Sequence, residues 1–272
     1  MLKAPSQQKH QNPDNLHPIK LKFNIQKKVS NIMINELLAK IQELQQSNVL
    51  WEKKWVACGD SFTEGDFTGA ADKETTFSEG LYVGENKVYP FIIGRRNHMK
   101  IVNEAKCGST MTYMAGKKLC FSTERYKQIP EDADYITLCF GINDDDAHQK
   151  AEIGNIDDIV NTSFFGAWNI VLEHIITHHP FAKIGIIVPN GCTRSYTDAI
   201  RKVARKWAIP YLDISGDYNV PLMNRVHEKN DVCEKVLEFR NSMFAVGEKN
   251  RHPNVKAHEY ESTFIENWLR SL

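Results

Sequence analysis

WVACGDSFTEG, residues 55–65, is the stretch on which the reading of the whole chain turns. Trp55, Val56, Ala57 and Cys58 suit a buried strand, and the run passes straight into Gly59, Asp60 and Ser61, with polar residues and Gly65 behind. A strand that ends on a serine, beside an aspartate and between two glycines, has two explanations. Either Ser61 is a nucleophile held at a sharp strand-to-helix turn, or Asp60 and Ser61 cap the next helix.

Further apolar runs follow at 100–103, 134–140, 183–188 and 209–214. Helical patterns are predicted between and after them, near 88–98, 121–129, 156–178 and 195–207, with a last helix from about 255 to 271. Apolar runs without polar alternation, separated by helices, mark a parallel sheet covered on both faces. The expected fold is therefore α/β: a three-layer α/β/α domain over 51–272 with a mostly parallel five-stranded sheet. In open sheets of this kind, sites form beyond the carboxyl ends of the strands. Ser61 follows the first strand directly. NEAKCGST, FGINDDD and PNGCT follow the next three.

Composition narrows the partners. Lys plus Arg equals Asp plus Glu at 34 each, so no global field draws in nucleic acid or an anionic membrane, and neither is expected as a partner. The six cysteines form no CxxC pair and read as thiols in a reducing compartment. The opening MLKAPSQQKHQNPDNLHPIK has no apolar leader, and no apolar stretch reaches the length of a membrane span. A soluble, cytoplasmic protein is expected; association with a virion assembled in a cytoplasm gives the same signature.

Residues 1–50 stand apart from the alternating region. The first thirty are polar and read as an arm, and Ser30 is the expected N-cap of a helix carrying Ile34, Leu37, Leu38, Ile41 and Leu44 at helical spacing. Such a helix either packs on its own domain or joins copies of the chain into a homo-oligomer.

A serine hydroxyl becomes a nucleophile only when a base takes its proton. Among ten histidines, His252 suits this task best. It precedes Pro253 and Asn254, which open the final helix, so its backbone is confined to a loop edge. His258 falls inside that helix and reads as a packed or solvated side chain. Donors for a developing oxyanion come from three places: the Ser61 amide at the turn, the Gly108 amide in KCGST, and the Asn143 side chain in GIND. The carboxylates Asp144, Asp145 and Asp146, with His148, match no cation loop, and Asp144 is expected to hold its loop through backbone amides. No metal is expected.

The ordered set GDSFTEG, a glycine loop after IVN, GIND and a late HPN resembles the four blocks of the SGNH/GDSL hydrolase superfamily and spans most of 55–270. The resemblance implies a flavodoxin-like α/β/α fold and serine esterase, lipase, thioesterase or carbohydrate O-deacetylase activity, with no metal or other cofactor. It makes Ser61 the nucleophile, His252 the base, and Gly108, Asn143 and the Ser61 amide the oxyanion donors. The family's aspartate three residues before the histidine is replaced here by Lys249. A lysine cannot accept the imidazole proton, so Glu248 is the expected orienting carboxylate, ahead of a backbone carbonyl or a distant acid. The expected activity is removal of a small acyl group, such as acetyl, from a carbohydrate or other polar substrate through an acyl-serine. An acyltransferase using the same intermediate and a catalytically weakened binding module are the alternatives. The long polar segment 63–88 is expected to line the site, with Phe67, Tyr82, Tyr113 and Trp168 as candidate substrate surfaces.

Overall fold

Period-two alternation inside each strand decides how the sheet is covered. In a computed structural model, which describes residues 17–70, 87–216, 219–223 and 231–272, five strands form one parallel sheet. They are Lys54–Gly59 (β1), Lys100–Asn103 (β2), Tyr135–Cys139 (β3), Lys183–Val188 (β4) and Tyr211–Asp213 (β5), in the order β2-β1-β3-β4-β5. Val56, Cys58, Ile136, Leu138, Ile186 and Val188 face one layer of helices, Phe164–His178 (α4) and Arg194–Lys206 (α5), and meet Phe164, Trp168, Leu172 and Ile200. Their neighbours in sequence, Trp55, Ala57, Tyr135, Cys139 and Ile187, face the other layer, where Ile93, Ile265 and Leu269 come from Tyr89–Asn97 (α3) and Val255–Ser271 (α7). Successive side chains point to opposite faces. A strand that must fill both cores can therefore carry no polar alternation.

β1 pairs with β2 on one side and β3 on the other, both in parallel. The chain reverses its direction of travel across the sheet there, which opens a crevice beyond the carboxyl end of β1. The short turn Ser61–Glu64 (α2) sits at that end.

Several helix boundaries differ from the sequence-based expectation. The first helix, His17–Ser47 (α1), begins well before Ser30, so Ser30 is interior to it and not its N-cap. Residues 17–30 are thus helical rather than an arm; residues 1–16 lie outside those described. Pro18 falls in the first turn, where proline is tolerated, and no glycine or proline follows before the end. Lys, Leu, Ile and Gln then favour the helix despite the polar composition. The chain divides into two compact units, residues 1–49 and 50–272. Within the first, Ile34, Leu37, Leu38, Ile41 and Leu44 are exposed.

The expected helix at 121–129 is a single 3-10 turn, Arg125–Gln128, because Ile129 precedes Pro130 and turns extended. α4 starts at Phe164 rather than 156, where Ser163 Oγ accepts the Gly166 amide as a cap. Asp231–Phe244 (α6), which strand alternation does not announce, is a helix with no buried residue. Among the described residues, no helix is long and apolar enough to cross a membrane.

Candidate active site

The turn after β1 is built on close contact. A Cβ at Gly59 would lie 2.7 Å from Thr63 Cβ and 3.0 Å from the Cys139 carbonyl oxygen, so only glycine lets β1 fold back onto its own helical turn. Asp60 then caps α2, its Oδ1 accepting the Phe62 amide at 2.9 Å. Ser61 is the first residue of the turn, where leading amides lack intrahelical partners. Asp60 caps, and Ser61 Oγ is left to face His252 Nε2 at 2.6 Å.

His252 reaches that position from a tight loop between α6 and α7. The Val246 amide donates to the His252 carbonyl at 2.9 Å, and the Gly247 amide donates to the Asn250 carbonyl at 3.0 Å. Asn254 caps α7 by accepting the Ala257 amide, and its Nδ2 donates to the carbonyls of Met243 and Ala245, so the loop is tied at both ends. The Phe62 ring lies 5.3 Å from the imidazole, centroid to centroid.

The group facing Nδ1 is Asn250, whose Oδ1 lies 2.5 Å away and also accepts the His252 amide at 3.0 Å. Glu248, the expected orienting acid, stands exposed at the tip of the turn. The Gly247–Asn250 closure turns that position outward and brings Asn250 inward. Asn250 Nδ2 donates to the Thr68 carbonyl at 2.9 Å and faces the Asp66 carbonyl and Oδ1 at 3.3 and 3.5 Å. With its NH2 facing three oxygens, Asn250 must present its carbonyl to His252. The Nδ1 position therefore carries the proton, and Nε2 faces Ser61 with a free lone pair. Burial holds the His252 pKa below the ordinary imidazole value, against the opposing charge of Asp66, with His258 adding to the lowering. His258 is itself buried in α7, its Nδ1 2.8 Å from Glu261 Oε1, and is a core side chain.

The loops after β2 and β3 are tied to the turn after β1 and to each other. After β2, the Lys106 amide donates to the Gly59 carbonyl at 3.1 Å, and the Ser109 amide closes a turn onto the Lys106 carbonyl. Gly108 sits in that turn at φ +76°, exposed, in a conformation that favours glycine. Asn143 Nδ2 donates to the Ser109 carbonyl at 2.9 Å, joining the β3 loop to the residue beside Gly108 and leaving one amide hydrogen for another acceptor. Asp144, buried, accepts the Met111 and Thr112 amides at 3.0 and 2.8 Å, as its position in GINDDD suggested. Asp145 turns to Lys150 at 2.7 Å and Asp146 to Lys117 at 3.1 Å, so the three carboxylates diverge.

Three site residues escape sequence reasoning. Asn250 and Asp66 flank His252, and Glu64 accepts the Cys107 amide, bracing the Gly108 loop from α2. The one available signal was Asn250 standing two residues before the histidine, a spacing at which asparagine folds back onto the backbone. Of the candidate substrate aromatics, Phe67 and Trp168 are buried in the core and cannot meet a ligand. Tyr113 is exposed, while Tyr82 and most of segment 63–88 lie outside the described residues.

Asp60 carries a strain of its own. It is fully buried, and its Oδ2 has no hydrogen-bond partner. Burial raises its pKa from 3.8 to about 7, with the Phe62 amide opposing and nearby Asp144 adding. The folded protein thus keeps this proton where the unfolded chain has lost it. The resulting stability is complete below about pH 4 and is lost as pH rises through about 7. The loss is on the order of 4 kcal/mol by pH 8, from a shift of roughly three units at 1.36 kcal/mol each. Asp60→Asn keeps the cap acceptor and removes the ionisation. Urea midpoints at pH 4 and pH 8 should show the variant gaining on the wild type as pH rises; parallel midpoints would assign Asp60 an ordinary titration.

No protein-family model matches this sequence, and no curated protein matches it. Solved structures resemble the fold. A protein described as a GDSL-like lipase from Bacteroides ovatus superposes with a TM-score of 0.56 at 16% identity, covering 81% of this chain and 99% of its own. The M. smegmatis aryl esterase gives 0.53 at 13%, covering 81% and 99%. A family two carbohydrate esterase from Clostridium thermocellum, solved in complex with cellohexaose, gives 0.53 at 13%, covering 81% of this chain and 64% of its own.

Proposed function

We propose that this chain, which has the SGNH/GDSL hydrolase fold, is a serine ester hydrolase acting through an acyl-serine. The observation that carries the reading is the 2.6 Å approach of Ser61 Oγ to His252 Nε2, two groups 191 residues apart. That distance lies within the hydrogen-bond reach that proton transfer from a serine to an imidazole base requires.

Ser61 Oγ attacks the ester carbonyl carbon while Nε2 takes its proton. The carbonyl electrons move onto oxygen, and the Ser61 and Gly108 amides with Asn143 Nδ2 stabilise that oxyanion. Collapse breaks the bond to the alkoxy oxygen, which leaves as the alcohol with the proton from Nε2. Water then repeats the sequence on the acyl-serine and releases the acid.

A small acyl group on a polar carrier fits the surroundings best. The long segment 63–88 behind the nucleophile is polar in sequence and offers no broad apolar lid for a long chain. p-Nitrophenyl acetate should be hydrolysed far faster than the decanoate, and a peracetylated sugar should release acetate. A fluorophosphonate probe should add to Ser61 and to no other residue. No labelling and no acetate release would overturn the reading.

A further inference from the structure

His252 has lost the aspartate that family members carry three residues earlier, yet its ring is held. We propose that Asn250 and Asp66 divide that aspartate's work: Asn250 orients the imidazole, and Asp66, behind it, supplies the negative charge that stabilises the imidazolium. The inference rests on the esterase reading above.

The division follows from distances. Asn250 Oδ1 makes the hydrogen bond to Nδ1, and Asp66 Oδ2 stands 3.8 Å from the same nitrogen, too far for a bond and near enough for strong attraction. An amide oxygen sets the tautomer but carries no net charge, so it cannot balance an imidazolium. Asp66 can. Its Oδ1 accepts the Thr68 amide at 2.9 Å. Although burial works against ionisation, bonds from Thr68, the His252 charge and the Asn250 side chain hold its carboxyl below the usual carboxylate range.

Asp66 comes from the chain just after α2, so the nucleophile's own turn also delivers the counter-charge. Among the described residues, the other groups set against His252 are Ser61 and Phe62 from α2, with His258 of α7 acting on its charge. None of them is an anion. On the histidine's own loop, Glu248, Lys249 and Arg251 are exposed.

The test uses the full chain and two readouts. Imidazole nitrogen NMR follows the His252 tautomer and titration whether or not an ester is cleaved; p-nitrophenyl acetate kinetics follow turnover. Asp66→Asn should lower the His252 pKa by about one unit or more. The acid limb of the kcat/KM profile should move to lower pH by the same amount, and kcat should fall roughly tenfold or more with KM nearly unchanged. Asn250→Ala should leave a mixture of tautomers and lower kcat further. The double variant Asn250→Asp, Asp66→Asn returns one carboxylate to Nδ1 and should recover most of the loss. An unmoved His252 titration in Asp66→Asn, or a double variant no better than Asp66→Asn, overturns the proposal. A wild type with the expected titration but no turnover would instead overturn the esterase reading.

Discussion

Replacing Ser61 by alanine is expected to lower kcat on p-nitrophenyl acetate by roughly 10⁴- to 10⁶-fold, with KM little altered. The variant keeps the Asp60 cap and the Gly65 amide bond to the residue 61 carbonyl, so the turn should survive. What disappears is the hydroxyl that faces His252 Nε2. His252→Ala should cost about as much, because an unassisted hydroxyl is a poor nucleophile at neutral pH. The double variant should be no worse than either single one: groups that act as a unit are not additive. Steady-state rates and probe labelling on the three variants decide the matter. Unchanged turnover in Ser61→Ala removes Ser61 from the mechanism.

The second large effect belongs to Asn143. Its substitution by alanine is expected to reduce kcat by roughly 10²- to 10³-fold, about 2.7–4 kcal/mol of transition-state stabilisation, again with little change in KM. The substitution also deletes the bond to the Ser109 carbonyl, so loop displacement is the competing cause. The loop has other anchors that the variant leaves alone. Glu64 still holds the Cys107 amide, and Asp144 still holds those of Met111 and Thr112. A thermal midpoint near that of wild type, together with the kinetic loss, assigns the effect to the missing donor. A loss below tenfold would mean that the oxyanion is met elsewhere.

The layers of this fold were legible because strand periodicity is local. Val56 and Cys58 must face one way and Trp55 and Ala57 the other, and both sets are apolar, so β1 had to lie inside a covered parallel sheet. Glycine at 59 followed by an aspartate cap likewise announces a turn that leaves Ser61 at the strand end, since cap and close approach both act within a few residues. Helix limits were less legible. The start of α1 and the brevity of the 3-10 turn at Arg125–Gln128 depend on propensity set against a proline's reach, and composition alone misjudged both.

What faces Nδ1 of His252 was decided by tertiary structure alone. The sequence offered Glu248, a backbone carbonyl or a distant acid, while Asn250 on the same short loop was not among the candidates. The loop closes between Gly247 and Asn250, which turns Glu248 outward and Asn250 inward. The charge then arrives with Asp66, from the far end of the domain's sequence. Phe67 and Trp168 were drawn into the core in the same way. Local rules fix which way a strand residue points; which side chain of a turn meets a partner across the crevice depends on where the other wall stands, and spacing along the chain carries no record of that.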